Sequence, residues 1–144
     1  MPIATIEEAR DEILSHFTTA WAGTGVLLLY DDRQTDLPTD AAWARITVQH
    51  LVFGQRTLGG KVALGGGGSR FGRGGLVTVQ IFTPAGDGLT SADPLVDLAL
   101  DAFEGESTGS DRIEFRSARA NEVGLNGAWH QTNVIAEFEY DRVK

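Results

Sequence analysis

Apolar positions recur at three- and four-residue spacing near the start of the chain. Ile6, Ala9, Ile13, Phe17 and Ala20 make one stripe, with Leu14 and Trp21 on its flank. That period predicts an amphipathic helix ending near Trp21, with Gly23 as its stop. Thr5 and Glu8 form a capping box at its start, and Glu7, Arg10, Asp11 and Glu12 lie mostly off the stripe. Residues 26–30 (VLLLY) are short and continuously apolar, as in a buried strand, and 31–40 read as a polar loop. The period then changes to two. In residues 43–53, Ala44, Ile46, Val48, His50 and Val52 point one way; Trp43, Arg45, Thr47, Gln49, Leu51 and Phe53 point the other. Residues 76–83 alternate likewise, with Val77, Val79 and Ile81 on one side.

Between those strands lie residues 59–75, which hold half of the chain's 18 glycines. Loops beyond about 12–15 residues are uncommon in compact domains and usually functional or disordered. The expectation is a two-stranded arm with a mobile glycine-rich tip. After a turn at 84–88, Thr90 or Ser91 caps a second helix with Asp93 and Pro94 in its first turn. Leu95, Leu98, Ala99, Ala102 and Phe103 form its stripe. A half-buried strand follows at 112–117, then a turn at Asn126-Gly127, then a long strand over 128–140 with Val134, Ala136, Phe138 and Tyr140 on its apolar face. Two one-sided helices and an antiparallel sheet predict a single α+β domain, 1–144, a two-layer sandwich with both helices on one sheet face. The opposite face carries large apolar groups and is expected to be covered by another chain.

Composition narrows the function classes. The net charge of −8 argues against a body that adheres to nucleic acid. The chain has no cysteine, which excludes disulfides, thiolate metal sites and cysteine nucleophiles and fits a reducing cytoplasm. No apolar run reaches the roughly 20 residues needed to span a bilayer, and no signal-peptide pattern opens the chain, so no membrane partner is expected.

Catalytic chemistry finds little support. The run 65–75 (GGGGSRFGRGG) lacks the lysine of a phosphate-binding loop and leads into a strand, where a nucleotide fingerprint needs a helix. His16, His50 and His130 sit on three elements without metal-ligand spacing, and the aspartates at 31, 32, 36 and 40 lack a calcium register. Ser69 and Ser91 have no nucleophile-elbow context. No enzyme activity, cofactor or metal is expected. Lys61, Arg70 and Arg73 instead give the arm positive charge on an acidic protein, and Phe71 is an apolar anchor. With Trp43 and Arg45, these are the candidate partner-interface residues; arginine suits carboxylates on a protein ring or tube.

Taken together, the capped first helix, the Trp43-x-Arg45-x-x-Val48 strand and the glycine-rich arm form a pattern. The run from Arg73 to Gly88 then leads into the second helix, and Gly127-Ala128-Trp129-His130-Gln131 precedes a last strand ending in Tyr140. Over nearly its full length the chain resembles the tail-terminator, or tail-completion, proteins of long-tailed phages and gene-transfer particles. The unusually rich glycine run at 65–68 departs from that pattern. The resemblance implies a two-layer α+β subunit that closes into a homo-oligomeric ring, usually of six copies. Such a ring caps the tail tube, ends its polymerisation and offers a docking surface to the head-completion or neck protein. It also implies a virion location at the head-proximal end of the tail, assembly in the host cytoplasm, and DNA passing through the lumen without specific binding. Three other readings stay open. One is a head-to-tail joining protein of the same particle. Another is a small acid–base enzyme using His50, His130 and Asp31. The last is a binding module for a small acidic partner resting on Arg70 and Arg73.

Overall fold

The computed structural model describes residues 3, 5–30, 38, 40–55, 70–86, 89–110 and 112–143. Helix α1 spans Ile6–Trp21, and the Thr5 side chain accepts from the Glu8 amide at 3.0 Å, as the capping box requires. Ala9, Ile13, Phe17 and Trp21 are its buried residues. Ile6, expected on the stripe, is 42% exposed, while Trp21, expected on its flank, is buried and donates to the Val26 carbonyl. The helix does not stop at Gly23. It tightens into a 3-10 turn, Ala22–Thr24, closed by Gly25 in the left-handed region at φ 71°.

Strand β1 is Leu27–Tyr30, β2 Trp43–Gln55, β3 Arg70–Pro84, β4 Glu114–Asn126 and β5 Trp129–Val143. Helix α2 spans Leu89–Phe103, between β3 and β4. The sheet order is β1-β2-β3-β5-β4, antiparallel except for the β1–β2 pair. Both helices pack on one face, so the fold is the expected two-layer α+β sandwich. Its core joins Ala9, Ile13 and Phe17 of α1, Ala99 and Phe103 of α2, and inward residues of the strands, including Ile46, Val79 and Val134. Phe17 stacks on Phe103 at 5.5 Å, and Phe103 meets Phe115 edge-on at 5.0 Å. His16 ties the two helices together through Nε2 to the Ala102 carbonyl at 2.7 Å. Arg112 binds Glu8 at 2.7 Å and Glu12 at 3.0 Å, holding α1 to the approach of β4.

Several boundaries differ from expectation. Helix α2 begins at Leu89, so Pro94 falls in its second turn and denies the exposed Thr90 carbonyl its donor. The strand expected to end near Ser117 continues to Asn126. Its outer half is exposed on both sides and has no apolar alternation to reveal it, but β5 pairs with it throughout, across two bulges. The glycine-rich span expected as loop over 59–75 divides. Its first part, with Lys61, lies outside the described residues, as do residues 56–58 and Asp31. Its second part, from Arg70 to Gly75, is strand. Composition favours a loop there, yet β5 runs to Val143 and supplies partners from Arg70↔Val143 to Gly75↔Phe138.

Candidate partner interface

The expected interface residues separate to two ends of the sheet. Trp43 is buried in a small second cluster with Leu29 and Phe82, on the face away from the helices. It stacks on Phe82 at 4.1 Å, meets Trp129 edge-on at 6.1 Å, and carries the Arg45 guanidinium 5.5 Å above its ring. Phe71 and Arg73 lie at the other end of β3. Eleven residues separate Phe71 from Phe82 along β3, or roughly 36 Å at strand rise. Arg70 pairs with Val143 through its backbone; its side chain lies outside the described residues.

A bulge decides what faces what. Between His50 and Val52 the β2–β3 register slips by one, leaving Leu51 without a partner and 51% exposed. Gly75 sits opposite the bulge. A Cβ there would lie 1.9 Å from the Gln49 carbonyl oxygen, so only glycine lets the strands approach this closely. Beyond the bulge the parity of β2 reverses, and Phe53 pairs with Arg73. Phe53 was expected beside Trp43, on the open face. It instead lies on the helix side, beyond the helices, stacked on His50 at 6.2 Å and 54% exposed.

That end of the sheet therefore gathers residues distant in sequence. Arg73 holds its guanidinium 4.8 Å from the Phe53 ring and 5.9 Å from the Phe71 ring. Arg10 of α1 donates to the Val48 carbonyl at 3.4 Å. His50 Nε2 and Tyr140 Oη are 2.8 Å apart, with Phe138 edge-on to the imidazole at 5.1 Å. Burial, then the positive charges of Arg10 and Arg73, hold the His50 pKa below its ordinary value. Burial raises the Tyr140 pKa, against the opposing pull of Arg73, Arg10 and Arg142. Among the described residues the buried His50 Nδ1 has no hydrogen-bond partner, which also disfavours protonating the ring. Arg10, His50 and Tyr140 as a group were not foreseen; only the aromatic at Tyr140 hinted at the site.

The reverse face is polar in its middle and carries a shallow groove of about 280 Å³ near the bulge. Gly54, Gly72 and Gly74 leave its floor bare, Leu51 and Leu76 line it, and Arg116 pairs with Glu139 at its rim. The histidines do not converge. His50 pairs with Gly75, opposite Phe138, while His130 is eight residues further along β5, roughly 26 Å away. Among the described residues no group of three His, Asp or Glu side chains is placed to hold a metal ion.

No protein-family model matches this chain, and no curated protein matches it. Solved structures do. One is similar over 94% of this chain and 95% of its own, with a TM-score of 0.60 and 17% identity. At that identity the likeness establishes the two-layer α+β fold and no more.

Proposed function

We propose that the protein is a ring-forming tail terminator, a structural subunit that caps a phage-type tail tube and presents a docking surface to the neck. One observation carries the reading: the sheet outruns its helical layer. Strands β3 and β5 pair over 15 residues each, yet the helical layer falls short at one end, where Phe53 is exposed and Phe71 and Arg73 are half-exposed, while Thr83 near the other end is fully buried. Among the described residues no helix packs on the reverse face. Surfaces of this kind suit a subunit whose neighbours are further copies of itself. A contact between two different patches closes into a ring when its rotation permits. The resemblance in sequence supplies the particular ring, and the net charge of −8 suits a lumen that DNA traverses without being held.

Molar mass by light scattering, with negative-stain images, tests the proposal. Closed rings, formed alone or on added tail tubes, are the expected result. A stable monomer that neither closes nor caps tubes would refute it.

A further inference from the structure

Arg112, Arg116 and Arg119 each sit against a glutamate. Arg10 and Arg73 do not: among the described residues neither has a carboxylate within ion-pair distance. Arg73 nevertheless rests against the Phe53 and Phe71 rings, and Arg10 reaches the Val48 carbonyl. Val48 and Phe53 lie on either side of His50 along β2, so both guanidiniums stand at the same end of the sheet. An arginine resting against aromatic rings keeps its fork available and loses less freedom on pairing. The chemistry that fits is a carboxylate, or a row of them.

The chain itself presents such a row. On α2, Asp93, Asp97 and Asp101 recur every four residues, all exposed, on the side away from the buried Ala92, Ala99 and Phe103. None of the three has a basic partner among the described residues. Platform and row are different patches, so pairing them between copies is a head-to-tail contact, the kind that propagates around a ring. We infer that the Arg73–Phe53–Phe71 platform, with Arg10, receives the Asp93–Asp97–Asp101 row of a second copy of this chain. The inference rests on the ring reading and specifies its subunit contact.

Charge exchange tests it. Wild-type mass is measured first, because a wild-type protein that never assembles removes the ring reading along with this contact. Arg73→Glu and Asp97→Arg are each expected to weaken self-association roughly tenfold or more. Combined in one chain, the two are expected to restore it. Asp97 is exposed, so Asp97→Arg folds even if Arg73→Glu does not, and mixing Asp97→Arg with Arg10→Glu then supplies the compensating pair. A second readout uses the absence of cysteine. Phe71→Cys and Asp93→Cys, mixed under mild oxidation, are expected to cross-link to each other in preference to themselves. Rings that form equally well in both single variants overturn this contact while leaving the ring intact. So does loss in both without recovery in the exchange, which would assign the platform to another protein's carboxylates.

Discussion

Gly75 is where a single atom decides the geometry of the arm. The Gln49 carbonyl occupies the space a side chain would need, and both lie on backbone that cannot swing aside. Gly75→Ala is expected to destabilise the protein by about 1–3 kcal/mol, as overpacking does. The midpoint of thermal unfolding should fall by roughly 3–10 °C. An unchanged melting curve would mean the strands do not approach as closely as described. His50 gives a prediction with a sign. Its folded pKa lies below the ordinary 6.5, so the folded state disfavours the proton that the unfolded chain accepts. Its contribution is therefore fully present above pH 6.5 and declines as pH falls below that value. Urea titrations between pH 7.5 and 5 should show His50→Gln losing less stability than the parent over that interval. Groups common to both proteins cancel in the comparison, and parallel curves would show that His50 titrates normally.

At the scale of elements, Phe53 reports on the arm. It is half exposed, stacked on His50 and Arg73 but outside the core cluster. Phe53→Ser should change stability by no more than about 0.5 kcal/mol, as surface changes do. A loss of association with an unaltered melting curve would identify a contact residue; a large drop in melting temperature would make Phe53 part of the fold instead. The elements themselves were unevenly legible. The Thr5 cap, the Ala9–Ile13–Phe17 stripe and the inward Val77, Val79 and Ile81 could be read because each repeats a period set by one buried face. The outer half of β4 could not, since residues 119–126 are exposed except for a half-buried Gly124 and only pairing with β5 makes them strand. Arg70 to Gly75 misled for a related reason: glycine composition records local freedom, while a partner strand 63 to 73 residues further along the chain determines the structure. The bulge was the more consequential omission. Alternation assumes unbroken parity, and one unpaired residue at Leu51 carried Phe53 to the other face. The candidate site was half legible as a result. Phe71 and Arg73 were named from the arm, but Arg10, His50 and Tyr140 join them only through contacts that span up to 90 residues.

Across the whole molecule, uncovered surface is unevenly placed. Trp43 and Phe82 gather at one end of the open face, where they bury one another, so that face is less apolar than the alternation implied. Exposed Phe53 and Arg10 and half-exposed Phe71 and Arg73 are at the opposite end, on the other side, beside α1. In the proposed ring, the Phe53–Phe71–Arg73 end and the aspartates along α2 would meet neighbouring copies, and the rims would be left for other proteins. A terminator and a head-to-tail joining protein share that design, and the two differ in when they act. A terminator halts tube growth, so tails assembled without it should continue past their normal length, because nothing else occupies the growing end. A joining protein acts after length is set, so its loss should leave tails of normal length and filled heads, unattached. Electron micrographs of particles made without this protein separate the cases by tail length alone. Overlong tubes are the expected outcome, and purified protein added to them in vitro should bind one end only. Tubes of normal length lying beside free heads would move the protein to the joint above the tail, with its ring intact and its role reassigned.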